Sequence, residues 1–599
     1  MNRNFNKWLS KGLLALLAVC GFTSCTDDHF DIDTTTTAQG SLWDKMVATG
    51  KCNDFAKILS KTIVDRKDYG TPATLTYEDL LKSNKVMTIW APEDGTYDAQ
   101  KWLDMLGDGS SVKANENVES QFVANHIAYF NYNGSYPVNQ RILLANGKFT
   151  NYNAADNSFN DVSISDKFTN VPAANGTLHV LTAPAPFKPN LRQILLQYPE
   201  LSSLYNYVES RDTVEFLESL STPGTTIDGI VHYVDSFFRS YNKVYPSIAA
   251  NEDSLCAAIF PSNQAWEEAL NTIGKYYNYK KTYAYYTSKE ATKPTLDTLK
   301  ADSVREARTV QAIFNNMFYS LYEQPAFDVN SASVETVGNF FRTCDSLMST
   351  AYYSTSNLRH QYAPQCWELA EGKDPIESSN GYAFITDHFN FKPSRSWQYD
   401  IELEAENSWY INDRNTSTVL AANPTGSNNK VTENTQNPAV TGKLGGNAYR
   451  QFLPNGPTSK IKVCYNLPNV LSGVYDVYVV MVPENIIDTT ITAPKNVRFT
   501  ATLYADFDDQ AKPTKTTTIN GVTYPTQWTS QEQIANANGQ IDTVLLFKDI
   551  KFPYAYYGLP GAKPYITLSS TYKTTWKKQT TNAFYIDKFI LKAKDPDEE

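Results

Sequence analysis

Cysteine and histidine are scarce in this 599-residue chain, at seven and six residues. Beyond residue 25 the cysteines are Cys52, Cys256, Cys344, Cys366 and Cys464. They are odd in number and far apart, with no Cys-x-x-Cys spacing, so neither a zinc site nor a disulfide framework is encoded. Cys344 and Cys366 are the pair an oxidising compartment would join; the alternative is small buried hydrophobes. The 53 Lys and Arg residues are scattered without a basic run and the net charge is −11. Nucleic-acid binding, which needs a basic face to neutralise phosphate, is therefore excluded. Beyond residue 24 no apolar run is long enough to span a bilayer as a helix. There is no Gly-x-Ser-x-Gly elbow, His-Glu-x-x-His pair or phosphate-cradling glycine loop, and the chain reads as non-catalytic. A carboxylate pair for glycoside hydrolysis is spatial and leaves no spacing to read.

What is present begins at the first residues. Arg3, Lys7 and Lys11 form a basic segment with no acidic residue before Asp27, and Leu13–Val19 is an apolar core of signal-segment length. The run ends in Gly21-Phe22-Thr23-Ser24-Cys25, which resembles a lipobox: small residues before a cysteine that is acylated and becomes the mature N-terminus. Cys20 competes, but the β-branched Val19 fits a small-residue cleavage position poorly. Residues 1–24 are expected to leave as a lipoprotein signal peptide, which removes three positive charges and takes the net charge from −11 to −14. Behind Cys25, the segment Thr26-Asp27-Asp28 resembles the surface-export tag of Bacteroidetes lipoproteins. That resemblance implies a lipid anchor (palmitate-type acyl chains) in the outer membrane and display at the cell surface. Residues 25–40, acidic and Thr-rich, read as a flexible tether.

Apolar periodicity then predicts a helix over 42–63 with Phe55, Ile58, Leu59 and Ile63 on one face, and a buried strand at Lys85–Trp90 stopped by Ala91-Pro92. A helix containing Trp102, Leu103 and Leu106 follows, then another over Val118–Phe130. His126, four residues from both Phe122 and Phe130, points into the packed face, where a histidine bonded to backbone is expected. Short strands close the segment at Ile142-Leu143-Leu144 and, behind the turn Asn175-Gly176, at Leu178-His179-Val180-Leu181. The landmarks Ile89-Trp90-Ala91-Pro92-Glu93-Asp94, Asn125-His126 and Asn175-Gly176-Thr177-Leu178-His179-Val180, closing at Pro184, resemble a fasciclin domain. They assign 41–188 to a first such domain. A second copy is visible in Asp253–Trp266, in a helix at Arg308–Tyr319 and in Asn380-Gly381-Tyr382-Ala383-Phe384-Ile385, closing at Pro393. It spans 189–393 and departs from the family, with Asn315-Asn316 where the histidine would fall and extra stretches at 207–250 and 275–300.

From Ser394 the helical signals stop. Seven short alternating segments, from Ile401–Glu406 to Phe584–Leu591, indicate an all-β sandwich or jelly roll over 394–599. The fold class is thus multidomain: two α+β fasciclin-like domains followed by the sandwich. Its opening Glu-Leu-Glu-Ala-Glu-Asn and closing Tyr585-Ile586-Asp587-Lys588-Phe589 resemble galactose-binding-like jelly rolls, the fold of many carbohydrate-binding modules. By that resemblance Glu404, Glu406 and Asp587 fall where such modules hold a structural calcium, which would staple the first strand to the last. The alternative is acids facing solvent on edge strands; no other cofactor is implied. Sugar recognition needs aromatic faces, and the loop aromatics available are Trp409, Tyr410, Tyr449, Trp528, Tyr556, Tyr557 and Trp576, with 39 Tyr in the chain supplying amphipathic contact surface. Asp-Ser/Thr tripeptides at Thr34, Thr213, Ser254, Thr298, Ser303, Ser346, Thr489 and Thr543 resemble the O-glycosylation sequon of the same phylum. Helix caps and turns make the same tripeptide.

Two functions follow. One is a non-catalytic glycan-binding accessory of an outer-membrane polysaccharide capture and import complex. The other is an adhesin or spacer that binds matrix protein, host or neighbouring cells through the fasciclin repeats.

Overall fold

The computed structural model of the chain describes residues 39–64, 75–135, 138–220, 222–227, 229–235, 238–280, 282–285, 295–298, 301–344, 347–350, 361–362, 366–389, 391–407, 427–433, 442–456, 459–508, 512–558 and 563–596. Two compact units are formed, Met1–Lys188 and Pro189–Glu599. Cys25, Thr26, Asp27, Asp28, Trp409 and Tyr410 lie outside the described residues, as does the side chain of Cys366, the expected partner of Cys344. Among the described residues no helix is long and apolar enough to cross a membrane.

In the first unit the helix expected over 42–63 is two helices, Leu42–Ala48 and Asn53–Lys61. The break follows from chemistry on both sides. Gly50 sits at φ +64 after the first helix. The free N–H groups at the start of the second, on Asn53 and Asp54, donate to the Asp94 carboxylate at 2.9 and 2.8 Å. Asp94 thereby ties that helix to the end of the central strand Met87–Pro92, every residue of which is buried. This strand pairs in parallel with Gly176–Leu181 and antiparallel with Ile127–Ala128, and Val171–Ala173 completes a four-stranded sheet. The helix expected over Val118–Phe130 stops early: a π turn at Glu119–Val123 and a single 3-10 turn lead into the strand at Ile127.

The second unit repeats this plan. Cys256–Pro261, again wholly buried, pairs in parallel with Gly381–Thr386 and antiparallel with Phe318–Ser320, and Ile376–Ser378 flanks the sheet. One asparagine organises each copy. Asn175 accepts the Leu42 N–H and donates to the carbonyls of Leu81 and Ser83, while Asn380 accepts the Leu191 N–H and lies in donor range of the carbonyls of Ile248, Ala249 and Asn251. Both lie just before the glycine that opens the parallel strand, and both bury an amide whose own donors and acceptor are met by backbone groups.

Residues 401–593 build a β-sandwich-like region from two six-stranded sheets. Phe584–Ala593 lies in the middle of one, between Ala448–Pro454 and Val474–Met481. In the other, Asn496–Tyr504 pairs with Tyr565–Ser570 and alternates buried and half-buried residues along its length. That period of two puts Val497, Phe499, Ala501 and Leu503 into one core with Ile586, Phe589 and Leu591 of the facing sheet. Each large apolar side chain so buried stabilises the fold by about 1.5–3 kcal/mol.

The boundary expected at 393/394 does not separate compact units. Leu471 and Ala555 of the sandwich belong to the apolar core of the preceding repeat. The Ala555 N–H donates to Asn278 O and the Asn278 amide to Pro553 O, both at 2.9 Å. Lys280 Nζ lies 3.1 Å from the buried Asp506 carboxylate and 2.7 Å from Phe507 O. Apolar contact, backbone bonds and an ion pair therefore weld the second repeat to the sandwich.

Candidate functional site

The strand Ile401–Glu404 runs antiparallel to Phe584–Ala593, and the Ala405 N–H donates to Asp587 O at 2.8 Å. This register brings together the three acids expected at the chain ends. Asp587 is buried, and its Oδ1 accepts the Gly445 N–H at 3.0 Å. A Cβ on Gly445 would stand 2.3 Å from the Glu404 carboxylate, and one on Gly446 would stand 3.1 Å from Glu406 Oε1. Glycine at 445 is thus what lets the loop close over the acids. Burial first, and then repulsion from Glu404, pushes the Asp587 carboxyl up to about 7. Glu404 is raised by burial and by Glu406, and its Oε2 is buried with no hydrogen-bond partner. The three carboxylates form a half-buried, mutually repelling cluster of hard oxygen donors. Among the described residues, no group of three or more His, Cys, Asp or Glu side chains is arranged to hold a metal ion.

A second site lies on the same sandwich. An open cleft of about 520 Å³ is lined by Lys495, Tyr572, Lys577, Lys578, Thr580, Thr581 and Asn582. The loop that carries most of these residues is pinned at both ends to the strand Asn496–Tyr504: Thr571 N–H donates to Arg498 O, and Asn496 N–H to Gln579 O, each at 3.0 Å. Thr580 and Thr581 then pair in parallel with Asn496 and Val497. The Thr580 hydroxyl donates to Asn496 Oδ1, and the Asn582 amide to Ser459 O. Just outside the lining, Arg498 and Lys573 lie 4.7 and 4.5 Å from the centre of the Trp576 ring. The carboxylate beside them is Glu532, which receives the Thr571 hydroxyl at 2.6 Å and Arg498 at 2.9 Å. The Thr571 hydroxyl, and after it the Arg498 guanidinium, hold this carboxyl below its usual range.

The aromatic shortlist divides. Tyr449 lies within the strand Ala448–Pro454, 1% exposed and against the Tyr585 ring, so it is a core residue and offers no face to a sugar. Tyr556 is likewise buried, its hydroxyl donating to Ala505 O at 2.7 Å. Both correct the expectation of loop aromatics: tyrosine fits a core where a ring packs against it, as on Tyr449, or a carbonyl takes its hydroxyl, as at Tyr556. Trp528 is half-buried against the sandwich core. Tyr557 is half-buried beneath Arg308, at 5.1 Å, and its carbonyl accepts the Tyr279 hydroxyl. Trp576 is half-buried, with its ring faced by two cations.

No family model and no curated protein matches the chain. Among solved structures, a Paenibacillus xanthan lyase is similar at 14% identity over 36% of this chain and 16% of that chain, with a TM-score of 0.18. A carbohydrate-binding module studied for specific mannan recognition, TmCBM27, is similar at 8% identity over 33% of this chain and 99% of that chain, with a TM-score of 0.16. The chain thus spans about a sixth of the xanthan lyase's length. Neither likeness assigns a function.

The described histidines of the first unit, His126 and His179, are engaged by backbone. His126 Nδ1 is 2.6 Å from Phe122 O, and Nε2 accepts the Ala185 N–H at 2.9 Å. His179 bonds Tyr132 O through Nε2 and accepts the Asn170 N–H at Nδ1. One neutral tautomer satisfies both bonds in each case. Burial lowers both imidazoles to about 4.

The cleft itself escaped the sequence reading. Lys573, Lys577 and Lys578 cluster within six residues, which is the one signal that pointed there. Lys495 and Arg498 join them only through strand pairing.

Proposed function

We propose that the mature chain is a lipid-anchored, surface-displayed and non-catalytic glycan-binding protein, an accessory of an outer-membrane polysaccharide capture and import system. The observation that carries this reading is the cleft at Lys495, Tyr572 and Thr580–Asn582. It is a solvent-open groove that sets one aromatic ring beside the side chains of Lys495, Lys577, Lys578 and Thr581, the combination a hydroxyl-rich ligand requires. The basic-then-apolar leader ending at Cys25 supports the anchor, Thr26-Asp27-Asp28 supports surface display, and the assignment of 41–188 and 189–393 to fasciclin domains belongs to the same proposal. Glu404, Glu406 and Asp587 are the residues that would hold a calcium ion, whose charge would offset their mutual repulsion.

Because the sandwich shares a core with the preceding repeat, the test uses the whole mature chain with Cys25→Ser. Retardation in native gels containing polysaccharide, lost on Tyr572→Ala, is the expected outcome; unchanged mobility across a panel of polysaccharides refutes it. Labelled palmitate should enter the wild-type protein and not the Cys25→Ser variant. The second reading is an adhesin acting through the repeats, whose most exposed rings among the described residues are Phe130 and Tyr322, 59% and 63% exposed, one on each repeat. Binding of matrix protein or cells that is abolished by Phe130→Ser with Tyr322→Ser would support it.

A further inference from the structure

The cleft's charge is opposite to that of the chain around it. Lys495, Lys577 and Lys578 line it, and none of the three makes an ion pair among the described residues. Arg498 and Lys573 stand beside it over Trp576. Three cations thus line the cleft and two more flank it, the flanking pair facing Glu532, in a chain whose net charge is −11. Like charges brought together on a pinned loop repel, and a fold keeps them at a cost that a ligand of opposite sign would offset. Trp576 helps to hold the cluster, since an indole face attracts cations. Its ring is taken up in this way, which leaves Tyr572 as the aromatic that faces the cleft.

We propose that this cleft takes an anionic polysaccharide, its carboxylate or sulfate groups on Lys495, Lys577 and Lys578 and a sugar ring against Tyr572, with Thr581 beside the hydroxyls. This inference rests on the glycan-binding reading above and names its substrate class. Uronates and sulfate esters share the chemistry, and separate arms of the test distinguish them.

The mature chain carrying Cys25→Ser is run in native gels with polygalacturonate, dextran sulfate, mannan or dextran, and with poly-glutamate as a polyanion that is not a sugar. Polygalacturonate or dextran sulfate should retard it, whichever acts naming the anionic group. The neutral polymers and poly-glutamate should not. Lys577→Glu with Lys578→Glu should weaken that binding by at least about tenfold. Both side chains are exposed and unpaired, and an unchanged melting temperature confirms that the variant folds. Salt at about 0.5 M should weaken it as well. Mannan or dextran binding that ignores the lysine variant overturns the anionic class and leaves glycan binding standing. Equal retardation by poly-glutamate also overturns it, as it shows a general cation patch. Retardation by none of the polysaccharides sinks the glycan reading together with this inference.

Discussion

Gly176 lies so close beneath Met87 that a Cβ in its place would stand 1.7 Å from the Met87 carbonyl oxygen. The second repeat copies the relationship: a Cβ on Gly381 would stand 1.9 Å from Cys256 O. Both glycines adopt positive φ, +142 and +150, at the first residue of the parallel strand. Backbone, which cannot move aside like a flexible side chain, is what the new atom would strike. Gly176→Ala and Gly381→Ala should each destabilise their repeat by about 3 kcal/mol or more, read from denaturant midpoints. A loss under about 1 kcal/mol would show that the strand pairs tolerate a wider spacing.

His126 and Asn316 make the same bond in the two repeats, from a side-chain N–H to the carbonyl four residues earlier, at 2.6 and 2.7 Å. The histidine has a second nitrogen that accepts the Ala185 N–H, whereas Asn316 Oδ1 is buried with no partner. His126→Ala, which leaves two buried backbone groups unbonded and a void, should cost about 2–4 kcal/mol.

His126 and His179 also set a pH dependence. Each is lowered from 6.5 to about 4 in the fold, so the unfolded chain binds more protons between those values. Stability is complete above pH 6.5 and falls as pH drops toward 4, at up to about 1.4 kcal/mol per pH unit for each histidine. Melting curves from pH 7.5 to 4.5 check this, and His179→Gln should flatten the slope. An imidazole of either residue that titrates near 6.5 by NMR contradicts it.

Calcium at saturating excess, about 100 times its dissociation constant, should stabilise the second unit by about 2.7 kcal/mol. Asp587→Asn keeps an oxygen for the Gly445 N–H and removes one of three repelling charges. That variant should match or exceed the wild type in chelator and lose the calcium response. Identical melting of the wild type in calcium and in chelator removes the cation from the proposal.

The weld between the second repeat and the sandwich predicts that residues 189–599 unfold in one transition. Lys280→Met leaves the Asp506 carboxylate, 3% exposed, without its cation. Lys280 is about a third open to water, so the cost should be about 2 kcal/mol, below the roughly 3–5 of a fully buried pair. Separate melting of the two parts in the wild type would contradict the shared core.

Much of the fold was legible locally. Continuous apolar runs ending at Pro92 and Pro261 named the two central strands, and the alternation in Val497–Tyr504 and Phe584–Leu591 named the sandwich, because side-chain period is a property of a few neighbouring residues. Helix ends were less so: Gly50 and the π turn at Glu119–Val123 broke two helices that periodicity alone would continue. Tyr449 and Tyr556 were misplaced because a tyrosine serves a core or a surface equally, and the tertiary structure decided it: the Tyr585 ring packs on Tyr449, and Ala505 O lies within reach of the Tyr556 hydroxyl.

The amino-acid sequence by itself determined the internal repeat, the change to mainly β structure near 394 and the three acids on the first and last strands of the sandwich. Only the tertiary structure decided that Lys495 and Arg498 meet Lys573, Lys577 and Lys578, and that Gly445 closes over Glu404 and Asp587. Electrostatic clusters form through strand pairing between segments about 80 or more residues apart, and no local period records which distant charges a sheet will set side by side.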